Sequence, residues 1–193
     1  MTVSTTTDAP VDLEVDLLLL PFSEAPSDPF VEALSETLGA AVERSMHDFE
    51  AEEGQARVIY PEHTTAPRVA LLGLGPASDL DADALRTAAA AGAETALDHE
   101  AERVACLLPI EDEPGDDRTA QGLVEGFLLG AYRYRRYKTT DGYEGPSAFL
   151  VHVGDDDDRI LVDEGTNRGR HLAEGGCTAR DLVNRSPDEK TAR

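Results

Sequence analysis

Apolar residues fall into short runs separated by polar stretches rich in glycine and proline. VDLEVDLLLLPF, residues 11–22, mixes alternation with a continuous apolar run and closes at Pro21. It predicts a strand whose Leu17–Leu20 segment lies in a sheet covered on both faces. Ser27-Asp28-Pro29 offers a helix cap with proline in the first turn, and Phe30, Leu34, Leu38 and Ala41-Val42 continue a helical period. Residues 43–54 are charged and ambiguous. Strands are predicted over 56–60, which Pro61 stops, over 68–73 (RVALLG), over 103–110 (RVACLLPI) and over 148–153 (AFLVHV). Between them, residues 81–100 form an alanine-rich helix whose small face, Leu85, Ala88, Ala89, Gly92 and Ala96, suits close packing on a sheet. Residues 111–118 read as a polar loop and Asp141-Gly142 as a turn. From the aspartate run at 155–158 to about Asn184 the pattern is one long, weakly amphipathic helix, with Gly165, Gly169 and Gly175-Gly176 as candidate interruptions.

The organising stretch is Thr119–Lys138, TAQGLVEGFLLGAYRYRRYK. Ala120, Leu123, Val124, Phe127, Leu128, Ala131 and Tyr134 recur at the three-and-four spacing of one buried helical face. Beside it runs a second row, Gly122, Gly126 and Gly130. A glycine inside a helix costs about 1 kcal/mol against alanine, so a row of them marks a groove where another backbone comes close. Glu125 and the basic residues exclude a membrane dimerisation helix. Arg133, Arg135, Arg136 and Lys138 are expected to close the helix as cations at its negative end, with a docking point for another domain or subunit as the sharper reading. Strands alternating with helices give a three-layer α/β domain with a mostly parallel sheet and helices on both faces, followed by a C-terminal linker helix. Residues 1–10, polar and threonine-rich, are expected to be disordered, with the domain occupying 11–154 and the linker helix beginning at 155.

Charge changes the picture more than length. The 193 residues carry 39 acidic against 17 basic side chains, a formal net charge of −22, and Lys138 and Lys190 are the only lysines. Such a surface repels nucleic acid and anionic membranes, and an acidic, lysine-poor composition fits a salt-loving source in which ionic strength screens the repulsion. The opening MTVSTTTDAP has neither the basic nor the apolar region of a signal peptide, and no apolar run reaches the roughly 20 residues a spanning helix needs. Cys106 sits in an apolar run and Cys177 follows Gly175-Gly176, which fits a reducing compartment. A soluble, cytoplasmic protein is expected.

Candidate chemistry is sparse. Gly73-Leu74-Gly75 follows a strand, but position 78 is serine and Pro76 removes an N–H where a phosphate needs one, so a structural turn is the expectation. His47, His63, His99, His152 and His171 lack metal-ligand spacing. The aspartates at 155–158 lack the alternation and glycine of a calcium loop. With no G-x-S-x-G elbow and no Cys–His arrangement, the catalytic, cofactor-binding and metal residues expected in this chain are none.

EGFLLGAYRYRRYK resembles the signature helix in the N-terminal domain of leucyl (cytosol) aminopeptidases, through Glu125, Gly126, Leu129, Gly130, Tyr132, Tyr137 and Lys138, with Tyr134 where that family usually has phenylalanine. Ala179–Asn184 with Pro187 and Thr191 resembles the entry to its catalytic domain, Asp188 replacing a frequent asparagine. The resemblance implies a macro-domain-like fold, a role in assembling a hexamer with sister subunits, and a metal-dependent peptidase whose zinc or manganese ligands all lie in a C-terminal domain beyond these residues. Asp163-Glu164-Gly165 matches part of that family's metal motif without its context, and no catalytic or metal residue is carried over. The function expected is therefore that of an N-terminal assembly or regulatory domain without peptidase activity of its own. The alternative is a free-standing macro-type module that binds ADP-ribose or a related nucleotide at Gly73–Pro76. Without a partner domain, Leu172, Leu182 and Val183 are expected to leave the C-terminal helix mobile or dimerising.

Overall fold

The computed structural model describes residues 1–26, 28–108, 117–137, 142–154 and 159–186. Its elements run β1 (Thr2–Thr6), β2 (Leu17–Phe22), α1 (Asp28–Leu38), α2 (Ala41–Met46), β3 (Ala56–Ile59), β4 (Val69–Gly73), α3 (Ala82–Asp98), β5 (Arg103–Leu107), α4 (Asp117–Gly130), β6 (Ala148–His152) and α5 (Arg159–Asn184). Six strands form one sheet in the order β1-β6-β5-β2-β4-β3, and only β3 runs antiparallel to its neighbour. The mixed, mostly parallel α/β sheet expected from the alternation of elements is what the chain adopts.

The four leucines of β2 explain the layering. Successive strand residues point to opposite faces. Leu17 and Leu19 face one core with Leu72, Val104, Cys106, Phe149 and the helices α3, α4 and α5. Leu18 and Leu20 face a second core with Val69, Leu71, Ala105, and Leu38 and Val42 of the α1–α2 side. A continuous apolar run is needed because both faces of this strand are covered. Pro21 does not end β2. It pairs in register with Leu72 of β4, past Leu19↔Cys106 where the β5 register stops, so it sits where one side of the strand has no ladder for a proline to break.

Two local expectations are corrected. Residues 1–10 are not disordered throughout. Thr2–Thr6 form the edge strand β1, in parallel register with β6 from Thr2↔Ala148 to Thr6↔His152, and Thr5 Oγ1 donates to Asp163 Oδ1 on α5. β-Branched threonine suits a strand, and backbone pairing, threonine side-chain bonds and Val3 packed against the core hold it. The helical period through Phe30 to Val42 is split at Gly39, which adopts φ 109° and leaves a Cβ position only 2.5 Å from Glu62 Oε2. The long C-terminal helix forms as expected, ends at Asn184 and is continuous through Gly165, Gly169, Gly175 and Gly176. Elsewhere the sequence signals act as read: Asp81 caps α3 by accepting from Asp83 N (2.8 Å) and Ala84 N (2.9 Å). Among the described residues, no helix is long and apolar enough to cross a membrane.

Candidate functional site

α4 lies between α3 and α5 as the middle helix of one layer, and glycine sets both spacings. A Cβ on Gly126 would fall 2.2 Å from the Arg86 carbonyl oxygen of α3, and one on Gly130 would fall 2.8 Å from Ala90 Cα. Gly122 is less tight, 3.2 Å from the Ala82 carbonyl oxygen. The row at 122, 126 and 130 is therefore the close-approach groove its spacing predicts. α5 repeats the device from its own side. Cβ positions on Gly165 and Gly169 would fall 2.0 Å from the Asp117 carbonyl oxygen and 2.7 Å from that of Gln121. These glycines seat α5 on α4 instead of interrupting it. The sheet-facing side of α4 buries Ala120, Leu123, Val124 and Phe127 completely, and Phe127 stacks on Phe149 of β6 at 3.9 Å between ring centroids.

Within the seam lies a charge the sequence reading did not assign a role. Glu125 is 6% exposed and accepts from Arg86 Nε at 2.5 Å and Gln121 Nε2 at 2.7 Å. Arg86 also reaches Asp83 at 2.6 Å, and its bond to Glu125 raises the guanidinium pKa above the ordinary value. A carboxylate flanked by a glycine row on a buried helix is a sequence signal for such a pair, because an ion almost never enters a core unpartnered. At the helix's other end Arg168 of α5 holds Asp117 at 2.7 Å, and that bond lowers the Asp117 pKa.

α4 stops at Gly130, one turn or more before the expected end, so Arg133, Arg135 and Arg136 follow the helix instead of closing it. Lys138 lies outside the described residues. Cations still serve the helix end: Arg133 Nη1 donates to the carbonyls of Gly130 and Tyr132, both at 2.9 Å, and Arg180 of α5 donates to Leu129 O at 2.8 Å. Helical continuation is replaced by ties to α5. Tyr132 OH donates to Asp181 at 2.7 Å, Arg180 lies 5.5 Å over the Tyr132 ring, and Ser186 N donates to Tyr137 OH at 3.0 Å. Burial first, then Asp181, raises the Tyr132 pKa. Arg135 donates to the Tyr143 carbonyl. Tyr143 OH in turn donates to Ala101 O at 2.6 Å, and burial pushes its pKa up to about 12. On the outer side of α5, Ile160, Leu161, Leu172, Leu182 and Val183 are all exposed.

The other candidates resolve into structural roles. Gly73 N donates to Gln55 O at 2.7 Å, Leu74 N to Phe22 O at 2.8 Å and Gly75 N to Ala51 O at 2.9 Å. All three amides of the turn are spent on backbone carbonyls, and Gly73 is required because a Cβ there would lie 2.0 Å from Glu52 O. Asp163 of the Asp163-Glu164-Gly165 segment faces Thr5 and Arg159. Cys106 is fully buried and burial raises its thiol pKa; Cys177 is half-buried, with burial again raising it. The aspartates at 155–158 lie outside the described residues, and among the described residues no group of three or more His, Cys, Asp or Glu side chains is placed to hold a metal ion.

His152 ends β6 opposite Thr6, is 6% exposed, and leaves Nδ1 without a hydrogen-bond partner among the described residues. Burial pushes its pKa below the usual 6.5, against the opposing pull of Asp8. A folded-state pKa below the unfolded one means the unfolded chain takes up the proton more readily. The contribution is fully present above pH 6.5 and is lost as pH falls below it toward the folded pKa. His152→Gln is expected to remove this component, so thermal unfolding of the wild type should fall more steeply than that of the variant between neutral pH and mildly acidic pH.

The fold and its glycine-seamed helical face define a three-layer α/β domain in which Arg86–Glu125 ties α3 to α4 and Asp117–Arg168 ties α4 to α5. Residues 21–141 match the family model described as "Cytosol aminopeptidase family, N-terminal domain", and the chain belongs to that family, as its N-terminal domain. A probable cytosol aminopeptidase of Roseiflexus castenholzii is 33% identical over 99% of this chain, which spans 38% of that relative. Among solved structures, the bottromycin maturation enzyme BotP in complex with Mn is 26% identical with a TM-score of 0.67, covering 91% of this chain and 33% of its own. A tomato leucine aminopeptidase variant superposes with a TM-score of 0.78 at 18% identity over 98% of this chain and 39% of its own, a likeness of fold alone. The chain thus spans little more than a third of the length of these proteins.

Proposed function

We propose that this chain serves as the non-catalytic assembly and regulatory domain of a metal-dependent leucyl aminopeptidase, which removes N-terminal residues from peptides with a catalytic domain outside these 193 residues. The observation that carries the reading is the two-sidedness of α5. One side is locked to α4 through Gly165 and Gly169, while Ile160 (72% exposed), Val183 (74% exposed) and three leucines are left on its outer surface. Large exposed apolar side chains mark a surface that further protein covers. The proposed cover is the catalytic domain, with sister subunits of a hexamer beyond it. The manganese of the BotP structure supports a metal, manganese or zinc, in that catalytic domain. The family's relatives support a cytoplasmic enzyme, and the acidic, lysine-poor composition supports a halophile-type surface.

Release of p-nitroaniline from Leu-p-nitroanilide tests the reading. The purified chain is expected to give no turnover with manganese or zinc added, and hydrolysis above the metal-only rate overturns it. The ADP-ribose alternative, and the macro-like binding function it requires, is disfavoured because the Gly73, Leu74 and Gly75 amides that would hold a diphosphate are already donated to protein carbonyls. Titration with ADP-ribose is expected to leave the amide NMR signals of Gly73, Leu74 and Gly75 unmoved.

A further inference from the structure

We propose that the corner where α4 gives way to the loop beside the end of α5 is a binding site for a small oxyanion of the phosphate class. Arg133, Tyr134, Arg135, Arg136, Asp181 and Arg185 line a hollow of about 240 Å3 there. Four arginines thus line it beside one aspartate, in a chain whose acids outnumber its bases by 39 to 17. Against that excess, the lining is a local reversal of charge. None of the ion pairs among the described residues involves Arg133, Arg135 or Arg185.

Two of these side chains are also held in place by neutral partners. Arg133 and Arg135 each spend Nη1 on backbone carbonyls, of Gly130 and Tyr132 and of Tyr143. Those bonds fix the side chains without cancelling their charge, and leave Nε and Nη2 as donors. Guanidinium forks match phosphate oxygens in pairs, and prior fixation reduces the entropy lost on binding. The carboxylate of Asp181, committed to Tyr132 OH, stands at the edge of the hollow. It opposes a run of acidic residues more than a single compact anion, which favours orthophosphate or pyrophosphate over an acidic peptide. The site does not depend on the aminopeptidase reading.

Calorimetric titration of the 193-residue chain with inorganic phosphate and pyrophosphate at low ionic strength tests this. Saturable binding with one ion per chain is expected, weakened by rising chloride. Arg185→Ala, whose side chain makes no hydrogen bond or ion pair with a described residue, should leave the circular dichroism spectrum unchanged and weaken binding about tenfold. Asp181→Asn keeps an acceptor for Tyr132 and removes the one opposing charge, so it should tighten binding. A purely structural role for these residues would not produce that gain. Arg44→Ala, which breaks an exposed pair with Glu62 elsewhere on the surface, should change nothing. A flat trace, binding unaltered by Arg185→Ala, or weaker binding in Asp181→Asn overturns the proposal.

Discussion

Gly126→Ala is expected to destabilise the domain by about 3 kcal/mol, although helix propensity alone would make it stabilising by about 1 kcal/mol. The sign is decided by what the new methyl meets. Its Cβ would lie 2.2 Å from the Arg86 carbonyl oxygen and 2.6 Å from Arg86 Cα, and backbone cannot rotate away as a side-chain tip can. α3 and α4 would have to separate, loosening the Arg86–Glu125 pair that bridges them. Separating that pair strands a buried carboxylate, which adds to the cost of the clash. Gly175→Ala on α5 is the matched control. It too lies inside a helix, but nothing stands within 4 Å of its Cβ position, so propensity acts alone and the variant is expected to gain up to about 1 kcal/mol. Urea denaturation of both variants gives the answer, with the midpoint falling for Gly126→Ala and rising for Gly175→Ala. A raised midpoint in both would mean that α3 and α4 are not held at the distance described.

The contrast between these glycines also shows what the sequence carries. A row at i, i+4 and i+8 on an amphipathic helix is periodic, so the groove on α4 was legible before any contact was known. Gly165 and Gly169 share that spacing on α5, yet beside Gly175-Gly176 they read equally well as interruptions, because only the position of α4 distinguishes a packed glycine from an exposed one. β2, β4, β5 and β6 announced themselves through apolar runs that a sheet covered on both faces requires. β1 did not, since Thr2–Thr6 has a single large apolar residue, Val3, and is held by the β6 edge and Asp163, groups more than 140 residues away in sequence. The end of α4 was illegible for a similar reason. Tyr134 continues the helical period, but ties from Tyr132 to the last turn of α5 and from Tyr137 to Ser186 just beyond it draw the chain off the helix axis. Glu125 was visible as a charge in an apolar stretch, and its partner Arg86, 39 residues earlier, was not. The candidate site follows the same rule: the arginines were evident as a cluster, while the shortage of carboxylates around three of them is a property of the folded surface.

Phe127→Ala is expected to cost about 3–5 kcal/mol, the largest loss from any single truncation on α4. The ring is fully buried in the core that joins α4 to the sheet, and it stacks on Phe149 with 6° between planes. Truncation removes the transfer energy of the ring, leaves a cavity, and forfeits a stacking contact worth about 0.5–1.5 kcal/mol. Collapse into that cavity is opposed from both sides. α4 is held to α3 and α5 at glycine contact distance, and Phe149 lies on a strand paired on each edge, with β1 and β5. Against a typical total stability of about 5–15 kcal/mol, the loss brings the domain near its unfolding threshold. Phe127→Leu retains most of the volume but not the stack, and should cost less than half as much. Denaturant unfolding of the two variants separates volume from stacking. Equal losses would place the energy in the aromatic pair, whereas a loss below about 1 kcal/mol for Phe127→Ala would show that α4 is anchored by its glycine seam and not by the sheet.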